Sequence, residues 1–433
     1  MLSVYHSLTT LGKPALRWVL SSRLRQGKED AARLSERMGQ PGQPRPPGPL
    51  LWFHAASVGE AQSTLILVEA LLACRSDLHV LVTSGTVTSA NLMASRLPDR
   101  AIHQYYPLDH PEWVAAFLDH WKPDAILWME SELWPNMLRA IRQRNISAAL
   151  MNARLSRKSY RRWKKLRKTA GELLSTFELF LAQTEEDAQS FSELGAINVR
   201  VRDNLKYSAA PLPHDIFDLV QLKAALQGRP FWLYASTHQG EEEIAAHIHK
   251  TLKEQFPKLL TIIVPRHPER RDSIMASLAG YGLNVTLRGA DKIPPAPEDD
   301  IYIADTLGEL GLFYRLAPLA CIGRSFSKDG GGGHNPIEAA QLGCAVLYGE
   351  NVQNLTHIYK EMTCAEAALC MRTPEELGIT VARLLGDPAA LETLRKAGLA
   401  FADSKSRLLA QVLKDLEPML VDHGIVEEGQ LCA

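Results

Sequence analysis

From residue 50 to about residue 350, short apolar runs alternate with longer stretches in which apolar residues recur every three or four positions. The first pair sets the type. Leu50–Phe53 is an apolar run of strand length, and Ala55 to Gly59 are small and turn-prone. From Glu60 a helical pattern begins, with Ala61, Leu65, Val68 and Leu72 on one face. The same reading predicts strands at 50–54, 78–83, 124–129, 147–151, 178–182 and 198–202. It predicts a second series near 231–235, 259–264, 300–303, 319–322 and 345–348. Apolar strands separated by helices predict a parallel sheet covered on both faces. Residues 208–228 are polar and carry prolines, and they read as an interdomain segment. The chain after about 353 reads as a helical tail of the second half.

The two halves rhyme. LLWFHAASVGEAQSTL in the first corresponds to FWLYASTHQGEEEIAA in the second: strand, small-residue turn, Gly-Glu, helix. HVLVTSGT at 79–86 then corresponds to TIIVPRHP at 261–268. A repeat of domain size predicts an α/β protein of two Rossmann-like domains, 50–207 and 229–433, facing each other across a cleft. In open α/β sheets the carboxyl ends of the strands carry the ligand, so those ends are where chemistry is expected.

Residues 1–28 break the pattern. Leu8, Leu11, Leu16, Trp18, Val19, Leu20 and Leu24 are interleaved with Lys13, Arg17, Arg23, Arg25 and Lys28. This predicts one or two short amphipathic helices that either pack on the protein or lie on an anionic membrane surface. GQPGQPRPPGP at 39–49 reads as a Pro/Gly linker. No run of about 18 uncharged apolar residues is present, so peripheral or monotopic attachment is expected rather than a span. The formal net charge of −1 gives no field directed at nucleic acid. Six cysteines without metal-type spacing point to reduced thiols in a cytoplasmic setting. Arg154–Lys168, RLSRKSYRRWKKLRK, holds nine basic residues and no acid, with Tyr160, Trp163 and Leu166 at helical spacing. An exposed basic helix, a nucleic-acid surface and a lipid head-group surface all fit; residues 1–28 favour lipid.

Several motifs are absent: GxGxxG after either first strand, Walker A, HExxH, GxSxG and DxD. Hydride transfer and metal-clamped diphosphate chemistry are thereby disfavoured, and no metal is expected. What remains sits at strand ends. Glu60 at a helix start either complements the helix dipole or takes a proton from a hydroxyl. Glu130 and Glu132 follow the strand 124–129, and Lys206 follows the last strand of the first half. In the second half Arg266 and His267 follow Pro265, and Leu307-Gly308-Glu309 opens a helix. Gly330 to Gly333 precede a helix expected to start with Asn335 as N-cap and Pro336 in its first turn. Such a loop suits a phosphate, and Glu338 either caps the helix or holds ribose hydroxyls.

Taken together these stretches resemble the 3-deoxy-D-manno-octulosonic acid (Kdo) transferases of Gram-negative bacteria. The resemblance runs from about 50 to 420 through HAASVGEAQS (54–63), MESELWPN (129–136), MNARLS (151–156), AQTEEDAQSF (182–191), DNLKY (203–207), ASTHQGEEE (235–243), PRHPER (265–270), DTLGELGLFY (305–314) and GGHNPIEAA (332–340). It implies the GT-B fold and an inverting transfer of Kdo from CMP-Kdo to the lipid A precursor at the cytoplasmic face of the inner membrane. It implies Glu60 as general base and Glu130 and Lys206 as transition-state stabilisers. It implies CMP binding by Pro265 and Arg266, by Leu307, Gly308 and Glu309, and by Asn335, Pro336, Ile337 and Glu338. No cofactor beyond the CMP-Kdo donor, no nucleic acid and an anionic membrane partner are expected. SKDGG ahead of the family's GGHN is a departure. A sugar-nucleotide epimerase of the same fold is the alternative enzyme, and a lipid- or nucleic-acid-binding protein the non-enzymatic one.

Overall fold

The computed structural model describes residues 1–433 except 131, 209, 227, 328 and 433. Ser131 of the MESELWPN stretch and Lys328 of the glycine-rich loop therefore lie outside the described residues. The chain forms two compact units: residues 1–209 with 406–433, and residues 210–405.

Unit 1 is built on seven parallel strands. They are β1 (Leu50–His54), β2 (His79–Ser84), β3 (Ala101–Tyr105), β4 (Ala125–Met129), β5 (Ser147–Ala153), β6 (Leu179–Ala182) and β7 (Val199–Val201), in the order β3-β2-β1-β4-β5-β6-β7. Successive side chains of a strand face opposite sides. Leu51 and Phe53 accordingly enter one apolar cluster, and Leu50 and Trp52 the other. All five residues of β1 and all five of β4 are buried, which is why β4 reads as an unbroken apolar run and β1 as one up to His54. Sequence patterning misses β3 because its AIHQY carries His103 and Gln104 in place of an apolar run.

Unit 2 repeats the plan with β8 (Phe231–Thr237), β9 (Leu260–Pro265), β10 (Val285–Leu287), β11 (Ile301–Ile303), β12 (Leu319–Ile322), β13 (Ala345–Gly349) and β14 (Ala368–Met371), in the order β10-β11-β9-β8-β12-β13-β14. Renumbered from its first strand, this order is 3-4-2-1-5-6-7: the first strand is again central with the second beside it, but unit 2 carries one more strand on that side and one fewer on the other, so the duplication seen in the sequence is one of plan and not of every strand. The half-exposed three-residue β10 and the edge strand β14 are too short or too mixed to show as apolar runs. At the centre of each sheet the order reverses: between β1 and β4 in unit 1, and between β8 and β12 in unit 2.

Three expected boundaries change. The interdomain segment 208–228 is not all connector: Ile216–Ala225 is a helix of unit 2, started by Asp215, whose carboxylate accepts from the N–H groups of Phe217 and Asp218. The tail is helical apart from β14, and it does not end in the second domain. The helix Pro388–Asp422 carries its last part, from 406, into unit 1. There Leu408, Val412, Leu416 and Leu420 share a cluster with Phe53, Val80, and Leu67 and Leu71 of the helix α3 (Val58–Cys74). α3 is apolar on more than one face, so it needs cover on its outer side as well as against the sheet. Asp415 adds an anchor, accepting from Arg200 (2.6 Å) and Arg202 (2.6 Å) on and after β7.

The third change concerns residues 1–49, which belong to unit 1. They contain the two expected short helices, here α1 (Leu2–Leu11) and α2 (Lys13–Arg25). Asn136 ties α1 down: its Nδ2 donates to Thr9 Oγ1 at 2.9 Å, and its Oδ1 lies 3.1 Å from His6 Nδ1. The Pro/Gly stretch is likewise anchored, with Arg45 Nε donating to Trp121 O at 2.8 Å, so it is no free linker. On the outer side Val4, Leu8, Leu11 and Trp18 stay exposed, each by more than 60%. Among the described residues no helix is long and apolar enough to cross a membrane.

Leu416 is fully buried. Leu416→Ala is expected to destabilise unit 1 by about 2–5 kcal/mol. All tryptophans except Trp232 lie in unit 1, so intrinsic fluorescence in a urea titration reports that unit. An unmoved fluorescence midpoint would return the tail to unit 2.

Candidate functional site

In unit 1 the crevice of the sheet opens where β1 and β4 diverge, and an acidic residue stands on each side of it. After β1 the chain turns into α3 with Ser57 as N-cap. Ser57 and Glu60 make a reciprocal cap: Glu60 N–H donates to Ser57 Oγ, and Ser57 Oγ–H donates to Glu60 Oε1 at 2.8 Å. Ala56 N–H donates to the other carboxylate oxygen at 2.9 Å. The capping role and a functional role thus fall on the same residue. Glu60 is only 5% exposed. Burial, reinforced by the negative charge of Glu130, outweighs these hydrogen bonds and pushes its carboxyl up to about 7. A carboxylate near that value accepts a proton effectively at neutral pH.

Glu130 follows β4 with φ of 56°, in the left-handed region that a side chain makes costly. Its N–H is held by Met151 O on β5 at 2.9 Å, so the neighbouring strand enforces the turn. Lys206 reaches the same place: its Nζ lies 2.9 Å from where a Cβ on Gly59 would be. Gly59 therefore lets a cation come against the first turn of α3, one residue from Glu60. Glu60 thus has the charge of Glu130 acting on it and Lys206 against the residue before it.

Glu132 is part of a different set of contacts. Trp134 Nε1 donates to its Oε2 at 2.9 Å, and Trp128 Nε1 donates to its main-chain oxygen at 2.9 Å. His54 Nε2 stands 3.8 Å from the same carboxylate. The His54 ring is enclosed between Tyr106 (4.1 Å) and Trp128 (4.3 Å), and burial lowers its pKa. His54 was not singled out in the sequence; its place at the end of β1, inside HAASVGEAQS, was the available signal.

In unit 2 the expected residues also lie at strand ends. Pro265 closes β9, and Arg266 beside it is exposed, near enough to Glu338 to act on its charge. Burial raises the Glu338 carboxyl, and Asn335 Nδ2 donates to it at 3.3 Å. The helix begins one residue later than expected, at Ile337, and spans only Ile337–Gln341. Asn335 Oδ1 already accepts the Ile337 N–H at 3.1 Å, so this terminus offers a phosphate less than the sequence suggested. Glu309 differs too. Its carboxylate receives Arg288 Nε (2.7 Å), Arg288 Nη2 (3.0 Å) and the Thr306 hydroxyl. Burial acts upward on Glu309, but Arg288 and Thr306 hold it down to about 2. That side chain is engaged within the fold, while Leu307 is 80% exposed and Gly308 takes φ of 82°.

The glycine run has a conformational reason. Gly330, Gly331, Gly332 and Gly333 all take positive φ, and a Cβ on Gly332 would meet Asn354 Nδ2 at 2.3 Å. Around this loop stand residues that the sequence reading left out: His238 after β8, Arg324 after β12, and His334. Their signal lay in ASTHQGEEE and GGHN, as polar residues just past strand ends. The basic stretch 154–168 needs one correction. Its nine cations are exposed, but Tyr160 and Trp163 pack against unit 1, and Tyr160 bonds Glu193, so the aromatic seam does not face outward.

Comparison with known proteins gives a consistent result. Residues 32–209 match the family described as 3-deoxy-D-manno-octulosonic-acid transferase (kdotransferase). The 3-deoxy-D-manno-octulosonic acid transferase of Rickettsia bellii is 35% identical over 96% of this chain and 98% of its own. A probable mitochondrial 3-deoxy-D-manno-octulosonic acid transferase of Arabidopsis thaliana is 37% identical over 93% of this chain and 92% of its own. Among solved structures, a UDP-GlcNAc 2-epimerase of Neisseria meningitidis superposes with a TM-score of 0.53 at 15% identity, covering 84% of this chain and 100% of that one. At that identity the likeness is one of fold, the GT-B architecture of two Rossmann-like domains.

The charge coupling in unit 1 has a measurable consequence. Glu130→Gln removes a negative neighbour and should shift the Glu60 titration downward from about 7. Carboxylate infrared bands followed against pH, with Glu60→Gln for assignment, read this directly. An unchanged midpoint would mean that burial alone sets the value.

Proposed function

The chain belongs to the Kdo transferases, and from that premise we propose that it moves Kdo from CMP-Kdo to the lipid A precursor, lipid IVA, with inversion and with Glu60 as general base. The observation that carries this reading is a buried carboxyl near pH 7, at the switch point of a parallel sheet, with a second carboxylate and a lysine beside it. An acceptor hydroxyl gives its proton to Glu60 as its oxygen bonds to the anomeric carbon of Kdo, and CMP leaves with the electron pair of the broken bond. Glu130 and Lys206 stabilise charge as that bond forms.

CMP is held by Pro265 and Arg266, by the segment Leu307–Glu309, and by Asn335–Glu338. Because Arg288 occupies the Glu309 carboxylate, that segment has the main chain at Leu307 and Gly308 to offer the nucleotide. Glu338, half-buried beside Asn335, is placed to accept from ribose hydroxyls. Arg266, exposed beside the end of β9, is the cation of unit 2 assigned to the departing phosphate, and the reading calls for no metal and no cofactor.

Residues 1–28 and 154–168 suit the lipid side of the reaction. Val4, Leu8, Leu11 and Trp18 form an exposed apolar stripe next to Lys13 and Arg17, and the exposed cations of 154–168 match an acidic lipid surface. We place the protein at the cytoplasmic face of the inner membrane, attached peripherally or monotopically. An epimerase would have no use for these surfaces, and its support is likeness of fold alone.

Mass spectrometry of lipid IVA incubated with CMP-Kdo and the protein should show Kdo added. Glu60→Ala should abolish addition while CMP still raises the melting temperature. Retention of a substantial fraction of turnover by that variant would remove Glu60 as the base. Since the base works deprotonated, the wild-type rate should rise as pH passes through about 7 and then level. Carbonate or high salt should release the protein from membranes; resistance to both would rule out peripheral attachment.

A further inference from the structure

The switch point of the second sheet gathers basic side chains that the reading above leaves without a role. His238 follows β8, Arg324 follows β12, and Asp329 and His334 belong to the glycine-rich loop. His238 Nδ1 lies 3.1 Å from Asp329 Oδ2, and His238 Nε2 lies 3.1 Å from His334 Nε2. Arg324 Nε stands 3.4 Å from the same Asp329 oxygen. The Ser327 hydroxyl, followed by the Gly331 N–H, Arg324 and His238, holds Asp329 down to about 2. An ionised Asp329 fixes the tautomers: Nδ1 of His238 carries a proton toward it, so Nε2 of His238 accepts and Nε2 of His334 donates.

The surroundings of His334 are cationic. Burial, then His238, Arg266, Arg324 and His267, push its pKa down to about 4. At neutral pH the imidazole pair is therefore uncharged among guanidinium groups. The backbone that holds it is strained at two adjoining strand ends, with φ of 59° at Ser236 and 58° at Arg324. Gly323 allows this close approach, since a Cβ there would lie 2.2 Å from Ser236 O. Tyr359 OH donates to His334 O at 2.6 Å and fixes the far side of the loop. An anionic oxygen at this place offsets the cationic surroundings and lets the imidazole pair take up a proton, which frees an N–H to donate to it beside the Arg324 guanidinium.

We propose that His238 and His334, together with Arg324, form a subsite for an anionic oxygen group of the donor, separate from the segments that hold its nucleoside. This rests on the donor assignment made above. Two groups of that chemistry exist on a CMP-linked sugar acid: the sugar carboxylate and the phosphodiester. Asp329 is a positioning residue, since it reaches the ligand only through His238.

The test is steady-state transfer to lipid IVA with varied CMP-Kdo, alongside competition by CMP alone, for wild type, His334→Ala, His238→Gln and Asp329→Asn. Circular dichroism and thermal melting confirm folding, and the exposed Asp329 provides a variant with little folding risk. The two histidine variants should raise KM for CMP-Kdo roughly 10- to 100-fold, the loss of one hydrogen bond to a charged group. Their kcat should change far less, and Asp329→Asn should follow in the same direction with a smaller effect. CMP inhibition unchanged in the variants assigns the subsite to the carboxylate; CMP inhibition weakened in parallel with KM assigns it to the phosphate. Unchanged KM, or a fall in kcat alone, overturns the subsite while leaving the donor reading intact. A wild-type protein that neither transfers Kdo nor is inhibited by CMP overturns both.

Discussion

A parallel sheet sends every strand's carboxyl end to the same edge, and where the strand order reverses, the loops from two neighbouring strands lead away in opposite directions. Each sheet has such a point at its centre, β1 beside β4 and β8 beside β12, and the polar residues gather there. The two points use the same position differently. Glu60 and Glu241 are each the glutamate of a Gly-Glu pair at the start of the helix that follows the first strand of their unit. Burial raises both. Glu241, fully buried, accepts from the N–H groups of His238, Arg324 and Phe326, and so ties the loops after β8 and β12 together. Glu60 has one backbone donor and a serine, and faces another carboxylate. The duplicated glutamate is a clamp in one unit and a proton acceptor, on our proposal, in the other.

Strand ends also hold the backbone strain. Glu130, Asn152, Ser236 and Arg324 take positive φ without being glycine, each at or just after the end of a central strand. A position of this kind costs about 1–3 kcal/mol and persists only where neighbours over-determine it. The neighbours are visible: Met151 O takes the Glu130 N–H, and Arg324 O takes the Gly333 N–H. Strain of this sort turns a side chain out of the sheet plane without lengthening the loop.

The sequence read well where burial is two-sided. β1, β4, β8 and β12 are apolar until a polar residue or two at the ends of β1 and β8, and each matches its expected range within a residue or two. It read poorly where the pattern records only that a residue is covered, not by what. The helical tail has the right periodicity for a helix, yet nothing in that period says which sheet it covers. Tyr160 and Trp163 have the spacing of a membrane-facing seam and equally that of a buried stripe; the cations around them favoured the first, while packing against unit 1 chose the second. For the site, Glu60, Glu130 and Lys206 were legible as strand-end residues, whereas the His238–His334 pair needs two loops far apart in sequence and had no local pattern.

The return of residues 406–433 to unit 1 bears on how the polypeptide matures on the ribosome. Unit 2 is a continuous stretch and can fold as soon as it has emerged. Unit 1, although made first, waits for the terminus, with Leu67, Leu71 and their neighbours uncovered through the whole of elongation. During that interval the nascent chain presents an oily groove, the kind of surface that holdase chaperones bind.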